Sequence, residues 1–203
     1  MKPAAHPVMR GFASNAGDNG PTPGAGPPLH WRAMTATDID LVLTIEKAAH
    51  AHPWRARHFE DSLQAGHWSR VLERDPDSAH VPPSWVQAPR SIAGRWLLGY
   101  LIAMPGVGEA HLLNITVAPL HRRCGWGRWM LRALRAWAAD SGAQQLWLEV
   151  RASNHSARQL YLSEGWQEVG IRRGYYPDSA TRREDAIVMR CALGQRTPPV
   201  PAP

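Results

Sequence analysis

The sequence predicts one domain of the mixed α/β class, and three observations support this. An apolar run at residues 112–117 is long enough for one buried strand, and a basic turn with Gly125 and Gly127 leads from it into a helical pattern. Residues 144–150 then alternate apolar and polar side chains, which is typical of a half-buried strand. Helical and strand patterns interleave along the rest of the chain, so we expect helices and sheet to share one core.

The domain is expected to occupy residues 32–193 of the 203-residue chain. Residues 1–30 hold six prolines and five glycines with almost no apolar periodicity, and residues 197–203 include four prolines. Segments of this composition bury too little apolar surface to offset the entropy lost on folding. We therefore predict disordered tails at residues 1–31 and 194–203.

The first half of the domain opens with two predicted helices. Thr37 is the expected N-cap of the first helix, because Asp38 and Asp40 follow it in the first turn. His52-Pro53-Trp54 interrupts the helical pattern. The predicted elements are helices at residues 35–50 and 55–64, a strand near 69–73, a proline-rich loop or hairpin insertion at 75–90, and strands at 96–104 and 110–117.

The second half contains the clearest helix, which is amphipathic and ends before Gly142. Asn154 is placed to cap the next helix. Tyr175-Tyr176-Pro177 falls in a polar loop between the last two strands. The predicted elements are a helix at 126–141, a strand at 144–150, a helix at 156–164, and strands at 166–172 and 185–191.

Composition limits the compartment and the partners. The net charge of +6 favours an acidic partner such as a phosphorylated cofactor, but the basic residues are scattered and no nucleic-acid-binding motif accompanies them. Two cysteines cannot form a disulfide framework, and no apolar run has membrane-spanning length. We expect a cytoplasmic monomer with no membrane association and no required nucleic acid. The ten histidines form no metal-binding motif, so no metal is expected.

The turn at residues 122–127 combines features that hold a pyrophosphate. Glycines let backbone N–H groups approach an anion, and the arginines and a helix N-terminus add positive charge. A tight strand-to-helix turn with no ligand would look the same. The spacing does not match a Walker A loop or a dinucleotide fingerprint, since Met130 stands where a third glycine would fall. It resembles the R/Q-x-x-G-x-G/A pyrophosphate loop of the GNAT acetyltransferases.

Two residues could carry acid–base chemistry. Glu149 ends an apolar strand and could act as a general base, or it could face solvent on the outer side of the sheet. Tyr161 could act as a general acid or serve as a core aromatic residue. Asn154 could contact a ligand besides capping its helix. A nucleophilic role for Cys124 is disfavoured, because no Cys-His-Asn order of residues accompanies it in the sequence.

Two segments resemble the bacterial RimI family, the ribosomal-protein-alanine N-acetyltransferases: LWLEVRASNHSARQLYLSEGW and IRRGYYPDSATRREDAIVM. The AHAHPW stretch after the first helix is similar to that family too. The likeness covers residues 34–189 and is most specific over 146–189. Residues 69–95 depart from it, because this chain is longer there than typical members.

The resemblance implies the GNAT fold, a mixed and largely antiparallel sheet that splays open and is flanked by helices. It also implies acetyl-CoA as co-substrate and a ribosomal-protein N-terminus beginning with alanine as acceptor. Glu149 would accept a proton and Tyr161 would donate one. The implied cofactor contacts are Ile115, Thr116, Val117, Arg123, Cys124, Gly125, Trp126, Gly127, Arg128 and Asn154. The implied peptide contacts are Arg172, Arg173, Tyr175 and Tyr176, in a segment that could also be a plain hairpin loop.

Other functions remain open at this point. A GNAT enzyme could acetylate another protein N-terminus, a lysine or a small amine, and acceptor profiling separates these. A non-catalytic module that binds CoA or the ribosome would explain the basic surface, although the presence of both Glu149 and Tyr161 argues against it.

Overall fold

The computed structural model describes residues 27–76, 83–179 and 181–194. These residues form one seven-stranded sheet with strand order β1-β2-β3-β4-β5-β7-β6. Most of the predicted tail residues, 1–26 and 195–203, lie outside the described part. The strands are β1 (Leu29–Ala33), β2 (Trp68–Arg74), β3 (Trp96–Pro105), β4 (Glu109–Val117), β5 (Gln145–Arg151), β6 (Gln167–Pro177) and β7 (Arg183–Ala192).

The sheet is antiparallel except at one position. Strands β1 to β4 pair antiparallel in chain order, β4 pairs parallel with β5, and β7 lies antiparallel between β5 and β6. The single parallel junction follows from the helix that connects β4 to β5, since parallel neighbours need a crossover. The predicted mixed, largely antiparallel sheet is therefore confirmed.

Four α-helices cover the two faces of the sheet in the described part of the chain. They are α1 (Ile39–Ala49), α2 (Ala56–Gln64), α3 (Trp126–Asp140) and α4 (His155–Ser163). One apolar cluster packs α3 and α4 against the sheet, and a second packs α1 and α2 against the opposite face. Because β3 lies between both clusters, its residues from 96 to 103 are all buried.

Strand β1 corrects the predicted start of the domain. Leu29 to Trp31 were expected in the N-terminal tail, but they pair with β2. The strand is fixed at its end by Arg32, whose guanidinium donates to the carboxylates of Asp38 and Glu73. The folded unit therefore begins before residue 32, although its composition there is that of a tail.

The N-terminal turn before α1 also differs from the prediction. A short 3-10 turn, Ala36–Asp38, precedes α1, and its cap is Thr35 rather than Thr37. The Asp38 carboxylate accepts from both the N–H and the hydroxyl of Thr35. Asp38 was expected as a charge in the first turn of the helix, and its carboxylate also accepts hydrogen bonds from the Arg32 guanidinium.

No helix in the described residues is long and apolar enough to cross a membrane.

His121 gives the fold a measurable acid sensitivity. Its ring is fully buried at the end of the 3-10 turn that follows β4, against Trp85 at 4.3 Å. Neither ring nitrogen has a hydrogen-bond partner among the described residues, and burial lowers the pKa of His121 to about 4. The unfolded chain, with a histidine pKa of about 6.5, binds more protons between these two values.

We therefore expect the free energy of unfolding to be greatest above about pH 6.5 and to fall as the pH drops towards about 4. His121→Leu should reduce this slope by up to about 1.4 kcal/mol per pH unit. Urea unfolding of both proteins between pH 4.5 and 7.5 measures it. Equal slopes in the two proteins would contradict the buried, neutral state of His121.

Candidate active site

A cleft of about 920 Å³ opens where β4 and β5 meet. Its walls come from the end of α1, the α1–α2 connection, the last parts of β4 and β5, the first half of α4, and the end of β6. The polar side chains that line it include Glu46, His50, Asn114, Glu149, Arg151, Asn154, Tyr161 and Tyr176. The cleft therefore brings both predicted acid–base residues together.

The cleft exists because two neighbouring strands part. β4 pairs with β5 only from Glu109 to Leu112, opposite Gln145 to Leu148. Beyond that point the β5 side of β4 has no strand partner among the residues that the structure describes. The N–H of Ala118 donates to Leu98 on β3, and successive residues of a strand point their amides to opposite sides. The backbone groups of Ile115 and Val117 therefore face the gap.

Thr116 is not brought to the gap, although it was expected among the cofactor contacts. By the same alternation its backbone faces β3. Its side chain is buried, with the hydroxyl donating to the Asn114 carboxamide at 3.1 Å and lying 2.8 Å from His50 Nε2. Thr116 therefore orients residues of the cleft and does not line it.

The predicted pyrophosphate turn has a conformation suited to an anion. Arg123, with φ 65°, and Gly125, with φ 83°, both adopt the left-handed region, and Gly125 is the N-cap of α3. The first amides of α3 have no partner within the helix. A side chain at Gly127 would meet the Leu160 methyl at 3.0 Å, so glycine allows α3 and α4 to pack closely there without a shift of Leu160. The exposed Cys124 lies in the same turn.

Two side chains of this turn make contacts with other parts of the protein. Trp126, which stands between the two glycines, is 3% exposed and joins the apolar core. It is the first residue of α3, and that position turns its indole towards the sheet. Arg128 Nε lies 2.7 Å from the Glu164 carboxylate. At both positions only the backbone remains suited to binding an anion, and the turn itself does not line the cleft.

Glu149 lies at the end of β5, on the edge that β4 has left. Its carboxylate lines the cleft and contacts Arg172 Nη2 at 3.1 Å. The Tyr176 hydroxyl donates to the Glu149 carbonyl at 3.0 Å, which fixes the backbone that carries the carboxylate.

Tyr161 lies in α4 and faces the same cleft. Its side chain is 6% exposed, and burial raises its pKa well above the ordinary tyrosine value, with Tyr176 adding to the effect. The phenol therefore keeps its proton throughout the neutral range. The phenol is therefore present as a proton donor inside the cleft, as a general acid must be.

The predicted peptide-binding residues divide into two groups. Tyr176 lines the cleft, where the Arg151 guanidinium lies 4.5 Å from its ring centre. Tyr175 packs against Tyr176, and Arg172 lies over Tyr175, so both support the wall from outside. Arg173 is exposed and does not line the cleft. The expected polar loop is part of β6, which runs to Pro177, so the plain-loop alternative is wrong.

Sequence reasoning missed a buried polar network beneath the α1–α2 connection. The Glu46 carboxylate, 1% exposed, accepts from the Trp54 N–H at 2.8 Å and from the Tyr100 hydroxyl. His50 Nε2 lies 3.4 Å from the same carboxylate. The available signal was a glutamate within the apolar face of α1, four residues before a histidine.

The parted strands beside a glycine-capped helix N-terminus are the arrangement that the resemblance to the GNAT acetyltransferases implies for an acyltransferase that uses a CoA thioester. The comparisons with known proteins agree. The model of the acetyltransferase (GNAT) family matches residues 40–166, and this chain belongs to that family. Enzymes of this family use acetyl-CoA.

Within the family, the chain is similar to a group of N-terminal acetyltransferases. It is 35% identical to the [ribosomal protein bS18]-alanine N-acetyltransferase of Haemophilus influenzae, over 79% of this chain and 96% of the relative. It is 34% identical to the Escherichia coli K12 protein of the same name, over 77% of this chain and 93% of the relative.

Solved structures show the same fold. The crystal structure of the ribosomal-protein-S18-alanine N-acetyltransferase from Escherichia coli matches with a TM-score of 0.67 and 31% identity, over 85% of this chain and 99% of that one. Ard1 from Thermoplasma volcanium matches with a TM-score of 0.65 and 20% identity, over 82% of this chain and 99% of that one.

Asn154 allows helix capping to be separated from ligand contact. Its carboxamide oxygen accepts from the Ala157 N–H at 3.2 Å, so the predicted cap is confirmed. Asn154→Ala should lower the free energy of unfolding by about 1 kcal/mol, and Asn154→Ser should restore most of it. Urea unfolding measures both.

Titration with acetyl-CoA then tests the second role of Asn154. If Asn154 also contacts the co-substrate, the stable Asn154→Ser protein will bind acetyl-CoA more weakly than wild type. An unchanged affinity would leave Asn154 as a cap alone.

Proposed function

We propose that this protein transfers the acetyl group of acetyl-CoA to the N-terminal alanine amine of a ribosomal protein. The observation that carries the proposal is the joint presence of Glu149 and Tyr161 in the cleft formed by the parting of β4 and β5. Relatives that are 34–35% identical over most of their length have this activity in their names.

The proposed reaction is a direct transfer. The acceptor nitrogen attacks the thioester carbonyl carbon, the C–N bond forms, and the C–S bond breaks to release the CoA thiolate. Glu149, directly or through a water molecule, takes the proton lost by the nitrogen. Tyr161 gives its proton to the thiolate. The Val117 N–H, which faces the gap, would polarise the acetyl oxygen as an oxyanion-type donor.

Binding would divide between two parts of the site. The backbone of Ile115 and Val117 would hold the pantetheine arm and acetyl group, and the first amides of α3 with the Arg123 turn would hold the pyrophosphate. The α1–α2 connection and Tyr176 would form the groove for the acceptor peptide.

An α-amine suits this machinery better than a lysine. Its pKa is about 7.7–8.0, against about 10.4 for lysine, so much more of it is already uncharged at neutral pH. One carboxylate base is then sufficient. The two free cysteines agree with a reducing compartment, and we propose that the protein acts as a cytoplasmic monomer without metal or nucleic acid.

The acceptor is tested with a peptide that copies an alanine-starting ribosomal-protein N-terminus. The full-length protein should acetylate its free α-amine and should leave a matched peptide with a blocked α-amine and a free lysine unmodified. Mass spectrometry of both peptides reads the result. Transfer to the lysine peptide alone would assign a different acceptor.

Glu149→Gln should lower kcat by about 10²-fold or more, because the side chain keeps its size but loses the proton acceptor. Glu168→Gln, which removes a carboxylate paired with Arg158 outside the cleft, is the matched control. Steady-state rates with the alanine peptide measure both. Equal rates for the Glu149 variant and wild type would remove Glu149 from the mechanism.

Tyr161→Phe should lower kcat by about 10²–10⁴-fold with little change in KM, because the phenol acts only as the thiolate leaves. An unchanged melting temperature shows that the fold is intact. Replacing acetyl-CoA with a thioester of a more acidic thiol should recover part of the loss. A variant at full rate with acetyl-CoA would assign Tyr161 to the core alone.

A further inference from the structure

The imidazole of His50 is held through one of its two nitrogens. His50 Nε2 lies 2.8 Å from the Thr116 hydroxyl, which itself donates to Asn114. A hydroxyl has a single proton, so Thr116 must accept from His50 and Nε2 carries the hydrogen. In the neutral ring this leaves Nδ1 as a proton acceptor.

Nδ1 is the part of His50 that the fold does not use. No hydrogen bond among the described residues involves Nδ1. The side chain is 35% exposed and lines the cleft from the β4 side, whereas Glu149 lines it from β5. If the fold needed only the Nε2 donor, an amide side chain would serve. The imidazole additionally carries a proton acceptor on a residue that lines the cleft.

The charges around His50 are set by three elements. The Glu46 carboxylate on α1 lies 3.4 Å from Nε2 and is itself bonded to Tyr100 on β3. Arg122, after β4, and Arg151, on β5, approach from the other sides. Burial has the largest effect and lowers the pKa of His50 below 6.5; Glu46 opposes this and both arginines add to it. The ring is therefore neutral at pH 7.

We propose that His50 is a second proton acceptor of the acetyl-transfer site. This inference rests on the proposed function. As the acceptor nitrogen bonds to the carbonyl carbon, it becomes far more acidic than a free ammonium, so a weakly basic imidazole can take its proton. The N-terminal ammonium gives one proton to Glu149 before attack, and the nitrogen, once bonded to the carbonyl carbon, gives its second proton to His50 Nδ1. The imidazolium faces Glu46, and this proton then passes to solvent in the cleft. The C–S bond breaks and Tyr161 protonates the thiolate.

The test compares His50→Gln, His50→Ala and the control His111→Gln, in wild-type and Glu149→Gln backgrounds. Glutamine can still donate to Thr116 but cannot accept the proton, whereas alanine loses both functions. His111 pairs with Glu109 away from the cleft. Rates with the alanine peptide, and melting temperatures, are measured for each full-length protein.

His50→Gln should lower kcat by about 10²-fold without changing the melting temperature, and His111→Gln should match wild type. Adding His50→Gln to Glu149→Gln should abolish the residual transfer. In Glu149→Gln alone, the rate should fall more steeply at a pH below 6.5, where the imidazole takes up its own proton at its lowered pKa. This last measurement needs no variant of His50.

Several outcomes would overturn the inference. A fast His50→Gln beside a slow His50→Ala would make His50 a positioning residue for Thr116 only. A Glu149→Gln profile with no steepening below about pH 6.5 would exclude it as the remaining acceptor. If the wild-type chain transfers nothing to the peptide, the proposed function fails and this inference fails with it. If wild type transfers and His50→Gln equals it at every pH, only the inference fails.

Discussion

The parting of β4 from β5 after Leu112 is the constraint on which the rest of the site depends. A paired strand directs its backbone groups to its neighbours, and only an unpaired edge can offer them to a ligand. The parting frees the amides of Ile115 and Val117 in the interior of a sheet whose neighbouring strands are otherwise paired. It also places the end of β5, with Glu149, across an open space from α4, with Tyr161. The cleft is thus a product of topology, because the single parallel junction is the place where the strands diverge.

The two helical layers make this gap stable. The apolar cluster around α3 and α4 fixes the glycine turn and Tyr161. The cluster around α1 and α2 fixes the α1–α2 connection, which forms one wall of the cleft. Glu46 connects the α1–α2 layer to the site. Its buried carboxylate accepts hydrogen bonds from the Trp54 amide and the Tyr100 hydroxyl and lies 3.4 Å from His50 Nε2. A buried carboxyl group is costly unless each of its oxygens has a hydrogen-bond partner, so the network favours one arrangement of this wall of the cleft.

Much of the fold was predictable from local pattern. The strand at Leu146 to Val150, the amphipathic α3 and the cap at Asn154 each follow from periodicity or capping chemistry within a few residues. The resemblance to known acetyltransferases placed Glu149 and Tyr161 in one site. Strand β1 was missed because only its pairing with β2 reveals it. The contact between His50 and Thr116 was missed because it joins residues far apart in sequence and leaves no periodic trace. The burial of Trp126 leaves no local sign either, because a glycine-flanked position suggests exposure while the direction of α3 turns its ring inward.

Amide hydrogen exchange with and without acetyl-CoA tests the central claim, that the unpaired edge of β4 binds the co-substrate. We expect new protection at Ile115, Val117 and the first amides of α3. We expect no change at Ala110 and Leu112, where β4 is still paired on both sides. Protection confined to other surfaces, with Ile115 and Val117 exchanging at their free rate in saturating acetyl-CoA, would contradict it.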